Sequence, residues 1–402
     1  MADLLERILS YAGEKPTMMH RRDMAPRPRP YRIVSVDDHV TEPPDMFTGR
    51  VEAAFAADAP RVERDELGHD WWVFDHARVP LLGSDNWAGF EPGHAYLGQV
   101  NFDEIHPAVY DIHERIKHMD LIGIEASLNF ASAPFGFAGT RFMKMLDPNL
   151  GLACMRAFND WHHEAWASPY PGRIIANQVT WLLDPHVAAA EIRRNAARGF
   201  RALSFSENPE KLGLPSIYTR HWDPIFEACV ETGTVVNLHV GSSSSTIVPS
   251  SDSSPAVLGA LFPINGMATA ADWLFSGIPL RFPELQIALS EGGFGWMPIL
   301  VDRIEHMGRM LDYSVQFGEL TPIEVLRRNF WFTTFNDGHS MSLRHLAGVD
   351  HIMIEVDYPH SDSTWPDSQE LLARQFADVP ADEVEKMTHR NAVALYRVET
   401  SE

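Results

Sequence analysis

Cysteine is nearly missing from this 402-residue chain: Cys154 and Cys229 alone exclude a disulfide framework and a cysteine-based metal site. Lysine is scarce too, supplying five of the 33 basic residues against 55 acidic ones, and the formal net charge is −22. Phosphate contact depends on clustered Lys and Arg, so a nucleic-acid-binding surface is not expected. No uninterrupted apolar run reaches the roughly 20 residues that a membrane span needs. The nearest stretch, 259–280, carries Asp272 and is broken by Pro263, Asn265, Gly266, Gly277 and Pro279, so it reads as a buried helix plus a loop. Residues 2–13 form a short amphipathic pattern interrupted by Glu6 and Arg7, unlike the apolar core of a signal peptide. A cytoplasmic protein with free buried thiols and no membrane or nucleic-acid partner is expected.

What is present suits a large core: 45% of residues are hydrophobic and 22% charged. After the Pro-rich linker Ala25–Pro30, β-rich runs alternate with helical patterns. The runs are Arg32–Val36, Ala126–Phe130, Ile174–Trp181, Ala202–Phe205, Val235–Val240, Gln286–Leu289, Phe330–Thr334 and Ile352–Val356. Most are apolar throughout, as parallel strands under helices are. This order predicts an α/β fold, a (β/α)8 TIM barrel, over residues 31–397, with an N-terminal arm at 1–30 and a tail at 398–402. No glycine fingerprint follows the first run, which argues against a dinucleotide-binding fold and leaves no cofactor-binding residues to name. The stretch 43–103 is too long for a simple loop and is expected to form an insertion after strand 1, either a lid over the mouth or a structural flap. The serine-rich run Gly241–Ser254 reads as a second long loop at the same end, substrate-facing or mobile.

Active sites in such barrels gather at the C-terminal ends of strands. Strand 1 ends in VDDHVTEPPD, which brings Asp37, His39 and Glu42 to the mouth, with Asp37 and His39 on one side by alternation. Strand 5 ends in VVNLHVG with His239, strand 6 in ALSEGGFGW with Glu291, and strand 8 in IEVDYPHSDSTWP with Asp357 and His360. Asp37, His39, His239 and Asp357 make a two-nitrogen, two-oxygen set suited to one divalent ion, zinc first and manganese or iron as alternatives. Competing motifs fail: His113, Glu114 and His118 are one residue too widely spaced for H-E-x-x-H, and neither G-x-S-x-G nor a P-loop occurs. His162, His163 and Glu164 lie in a helical pattern and read as surface or capping residues.

The combination DDHVTEPPD, LHVG, SEGGFGWMP and DYPHSDSTWP resembles the amidohydrolase superfamily, specifically the amidohydrolase-2 branch that includes aminocarboxymuconate-semialdehyde decarboxylase. The resemblance spans about 31–397 and implies a single metal held by Asp37, His39, His239 and Asp357. Binuclear members use a carbamylated lysine on strand 4, and the segment Ala202–Glu207 has none. Many members carry H-x-H or E-x-H where this chain has D-x-H, and the decarboxylase pattern has an acid/base histidine where this chain has Glu291. That replacement favours hydrolysis of a small apolar or aromatic substrate through a metal-activated water, with Asp357 accepting the water proton and Glu291 or His360 protonating the leaving group. The alternative is non-oxidative decarboxylation of an aromatic or unsaturated acid. A barrel that binds without turnover is a third reading. The arginines of the arm (Arg21, Arg22, Arg27, Arg29) suggest docking onto an acidic neighbour and a homodimer or higher homo-oligomer. Arg50 and Arg78 on the insertion are candidates for binding a substrate carboxylate, with a solvated role the plainer reading of each.

Overall fold

Strands with apolar residues on both faces must be covered on both sides, and this chain meets that need with a helix after almost every strand. The computed structural model describes residues 25–91 and 96–399, together with positions 12 and 15. β1 (Ile33–His39) is buried along its whole length. The stretch after it holds a three-stranded antiparallel sheet, β2 (Arg61–Arg64), β3 (Asp70–Val73) and β4 (Arg78–Pro80). α1 (Ile112–Ile122) leads into β5 (Ile124–Phe130), and α2 (Pro148–Trp161) into the short pair β6 (Ile174–Ile175) and β7 (Asn177–Val179). Then follow α3 (Pro185–Ala196), β8 (Ala202–Phe205), α4 (Asp223–Thr232), β9 (Val235–His239), α5 (Phe262–Phe275) and β10 (Ile287–Ser290). α6 (Met297–Met307), α7 (Pro322–Asn329), β11 (Phe330–Thr334), β12 (Ile352–Ile354), α8 (Ser368–Gln375) and α9 (Asn391–Tyr396) complete the series.

Parallel pairing runs β1-β5-β6 in one sheet and β7-β8-β9-β10-β11-β12 in the other. The run expected as one strand over 174–181 is divided because the Ala176 carbonyl accepts from both the Arg201 and the Ala202 amides. The ring closes where the Asp357 amide donates to the Asp37 carbonyl at 2.8 Å and the His39 amide to the Tyr358 carbonyl at 2.6 Å. Inside the barrel, Val34, Val36, Ala126, Leu128, Ala202, Val235, Ala288 and Met353 pack together, and Ala392, Leu395 and Tyr396 of α9 join that cluster. Helix starts repeat one device: Asp147–Pro148 and Asp184–Pro185 each put an aspartate oxygen on an amide two residues on and a proline in the first turn.

Residues 43–103 do sit after β1. Trp72 of β3 is buried and packs edge-on against Phe47 and Phe135, and the Ser361 amide donates to the Ser84 carbonyl at 2.9 Å. The insertion is thereby tied to the loop that follows β12. Most of the arm, including Arg21 and Arg22, lies outside the described residues, as do 400–402 of the tail. Arg27 pairs with Asp367 and Glu370 of its own chain. His162 corrects the surface reading: α2 runs on into a wider turn at His162–Ala167, which leaves His162 fully buried. Cys154 and Cys229 are free and buried. No helix among the described residues is long and apolar enough to cross a membrane.

Candidate metal centre

β1 changes register between Ser35 and Asp38, where three steps on β1 match two on β5. Val34 and Val36 face the barrel interior, so strict alternation would turn Asp37 and His39 outward. The extra residue reverses that, and both side chains point into the mouth. There the His39 and His239 Nε2 atoms lie 3.2 Å apart, and Asp37 offers one oxygen to each, at 3.5 Å and 3.4 Å. The Nδ1 atoms face backbone carbonyls instead, His39 that of Ala131 at 3.4 Å and His239 that of Val240 at 2.6 Å. This places the proton on Nδ1 and leaves both Nε2 lone pairs aimed at one point. Burial drives His39 down to about 4 and His239 well below its ordinary value, so both rings are neutral, the form that binds a cation.

Asp357 stands beside this trio, its Oδ1 3.4 Å from His39 Nε2 and 2.9 Å from His360 Nδ1. Neither oxygen of Asp37 or of Asp357 receives a well-directed hydrogen bond, although all four are buried. Buried carboxylate oxygens are normally paired. The two unpaired Asp37 oxygens, with the Asp357 carboxylate beside them, around two convergent imidazole nitrogens fit a divalent cation, and Asp37, His39 and His239 form a cluster of metal-holding geometry. Burial and the neighbouring Glu355 and Asp357 push the Asp37 carboxyl well above the usual range, an expense that a cation would offset.

Glu291 follows β10 with φ 60° and Asp357 follows β12 with φ 58°. Residues other than glycine adopt this left-handed region infrequently, and such conformations cluster at functional sites. Glu291 Oε2 comes to 3.7 Å from His239 Nδ1, and Glu291, Asp357 and Asp362 have oxygens within 4.8 Å of one another. Burial, then Asp357 and Asp362, raise Glu291 well above the ordinary carboxyl range. His360 moves the other way for a histidine: burial opposes its charge, yet Asp357 lifts it to about 9. Burial pushes Asp357 up, but His360 beside it overcomes that and holds the carboxyl below its ordinary range. Glu291 and His360 thus both stand within reach of Asp357, the carboxyl of one and the imidazole of the other each shifted upward.

Several residues here were not singled out from the sequence. Asp362 lies two places beyond His360, inside the same motif. Glu355 faces inward two places before Asp357 and accepts the Glu291 amide at 3.0 Å; burial raises it to about 8. Asp85 of the insertion acts electrostatically on His360. Other candidates are engaged elsewhere. Glu42 accepts the amide and hydroxyl of Ser132. The serine loop folds back on Glu207, with Ser243 Oγ donating to its carboxylate at 2.8 Å and Ser242 Oγ accepting its amide at 2.9 Å. Arg50 pairs with Glu164 at 2.5 Å, and Arg78 stacks over Trp71 at 4.9 Å.

A parallel barrel with an acidic, imidazole-bearing mouth defines a class of metal-dependent enzymes. Within it, the chain belongs to the amidohydrolase-2 family: residues 145–398 match the profile of that family, described as amidohydrolase. Its fold is similar to that of an amidohydrolase from Mycobacterium avium subsp. paratuberculosis K-10, with a TM-score of 0.73, 23% identity and coverage of 92% of this chain and 100% of that one. It is also similar to 5-carboxyvanillate decarboxylase from Novosphingobium aromaticivorans, solved with manganese and 4-hydroxy-3-methoxy-5-nitrobenzoic acid, with a TM-score of 0.63, 19% identity and coverage of 93% and 99%. In sequence it is 29% identical over 144 residues to decarboxylase yanB of Aspergillus niger. That match covers 34% of this chain and 38% of the length of the curated relative.

Proposed function

We propose that the protein is a divalent-metal-dependent carboxy-lyase that removes CO2 from a small aromatic acid. The observation that carries this reading is the arrangement of the mouth, where two groups able to donate a proton, Glu291 and His360, stand beside Asp357 and the two convergent imidazoles. Decarboxylation of an electron-rich ring needs an acid still protonated near neutral pH, and a glutamic acid raised by burial meets that need as a histidine does elsewhere. The replacement of histidine by Glu291, which favoured hydrolysis on sequence grounds, therefore no longer does so. Relatives named as decarboxylases, one with manganese and a substituted benzoic acid bound, support the same reading.

Asp37, His39, His239 and Asp357 would hold the metal, with manganese the first choice. When bound, the metal supplies positive charge that orients the substrate carboxylate and a neighbouring oxygen. Glu291 delivers its proton to the ring carbon that bears the carboxylate. The carbon–carbon bond then breaks, its electron pair restores the aromatic ring, and CO2 leaves. Water returns a proton to Glu291. His360 keeps Asp357 anionic throughout, and Glu355 holds the Glu291 backbone in place.

Hydrolysis, the second reading, uses the same residues with Asp357 as base. Incubating the manganese-loaded protein in 18O-labelled water with a panel of hydroxybenzoic acids, esters and lactones separates the two. CO2 release from an acid with no label in the aromatic product supports the lyase. Label entering a product carboxyl overturns it.

A further inference from the structure

The loop between β5 and α2 carries Phe137 at the tip of a tight knuckle, Ser132–Thr140. Gly136 and Gly139 flank it at φ 72° and 69°. A Cβ at Gly136 would stand 2.3 Å from Thr140 Oγ1, and one at Gly139 would stand 2.8 Å from Val179 Cβ. Both positions therefore require glycine for conformation and for space. The knuckle's backbone is pinned: the Gly136 amide donates to the Ser132 carbonyl at 3.1 Å, and Ser204 Oγ donates to the Phe137 carbonyl at 2.5 Å. The preceding Phe135 is buried against Trp72 and Phe74 of the insertion.

Phe137 itself is half-buried, in a neighbourhood where the metal-holding side chains are almost fully enclosed. Its ring centroid lies 4.2 Å from that of His239, 4.9 Å from that of His39 and 6.3 Å from that of His360. The His239 and His39 rings also meet Phe130, at 4.9 Å and 5.7 Å, and Phe130 is completely buried in the barrel interior. The imidazoles of the centre are thus held between an inner ring and an outer one, and only the outer ring reaches solvent. A phenyl side chain offers no hydrogen bond and no proton, so its uses here are exclusion of water and contact with another apolar or aromatic surface.

We propose that Phe137 is a specificity-determining aromatic cap on the metal centre. Its inner side shields the imidazole ligands from bulk water, and its exposed side contacts the planar ring of the substrate. The second half rests on the reading of the protein as an aromatic-acid lyase; the first half does not. Contact between aromatic rings is worth about 2- to 10-fold in affinity beyond area burial.

The test uses full-length, manganese-loaded protein and the variants Phe137→Ala and Phe137→Tyr. Manganese release into excess EDTA is expected to be about 10-fold faster in Phe137→Ala, with near-normal release in Phe137→Tyr. Calorimetry with benzoate and with cyclohexanecarboxylate, which match in size but not in planarity, is expected to show a wild-type preference for benzoate. Phe137→Ala should lose that preference and Phe137→Tyr keep it. An unchanged release rate in Phe137→Ala overturns the shielding, and an unchanged preference overturns the substrate contact. A wild type that shows no preference for benzoate also overturns the substrate contact, while CO2 release decides the lyase reading and the manganese release rate decides the shielding.

Discussion

Asp37 and Asp38 are adjacent, and each is 1% exposed, yet the barrel treats them differently. Asp38 Oδ1 accepts Ser35 Oγ and the Tyr358 amide, both at 3.0 Å, and Arg115 supplies a nearby positive charge. Arg115 in turn donates to the carbonyls of Ala108 and His39 and lies 4.1 Å over the Tyr358 ring. The Tyr358 hydroxyl meets His118 Nδ1 at 2.8 Å, and His118 stacks on Trp365. In that outer cluster, almost every polar group has a partner. Asp37, one residue earlier, has none for either oxygen. Buried polar groups paired within the protein build structure, whereas buried groups left unpaired wait for something the chain does not contain. The two faces of β1 divide the labour between scaffold and centre.

The largest expected effect comes from emptying the centre. His239→Ala should lower manganese affinity at least about 100-fold, above what removal of a supporting contact costs, while the thermal transition stays cooperative. Elemental analysis that finds full occupancy would remove His239 from the ligand set. Next in size is Glu291→Gln, expected to retain the metal and to lower turnover by about 100-fold or more, because the amide keeps the shape and cannot pass a proton. Loss of metal in that variant would make Glu291 a ligand instead.

Most of the barrel, and the residues that meet at its mouth, were legible in the sequence, because both depend on strong signals. Apolar runs mark buried parallel strands, and acidic or imidazole residues at their ends stand out against them. The register change in β1 was not legible: alternation starting at Val34 gives the wrong face for Asp37, and pairing against β5 decides the matter. Glu42 and the serine loop looked equally suited to the mouth, but their partners, Ser132 and Glu207, come from other loops. Phe137 carries no chemical signal at all; it is placed by two glycine conformations. Glu355 was within reach, since a residue two places before Asp357 shares its side of the strand.

The outer cluster should respond to mutation through stability rather than through metal. Asp38→Ala leaves the Tyr358 amide and Ser35 hydroxyl without their acceptor and Arg115 without its counter-charge. A loss of about 1–3 kcal/mol is expected from urea unfolding, with manganese stoichiometry unchanged. If the metal were lost at undiminished stability, the division between the two faces of β1 would be wrong.

The smallest effect is a pH dependence that belongs to the outer cluster alone. His118 is 4% exposed, and burial, then His106 and Arg115, drive it down to about 2, so the folded protein keeps this ring neutral. In the unfolded chain the imidazole titrates near 6.5. Between the two values, the unfolded state binds a proton that the folded state refuses, so the contribution of His118 is fully present above about pH 6.5 and is lost as pH falls below it. One pH unit below that point, the loss is about 1.4 kcal/mol. His118→Gln can still accept from the Tyr358 hydroxyl but cannot take up a proton. Its urea stability should therefore fall less than that of the wild type between pH 7.5 and 5.5, by about that amount. Both proteins are to be compared with manganese bound, so that the imidazoles of the centre make the same contribution in each. Parallel stability curves for the two proteins would mean that His118 is protonated in the fold, and its contact with Tyr358 would then have to be reassigned.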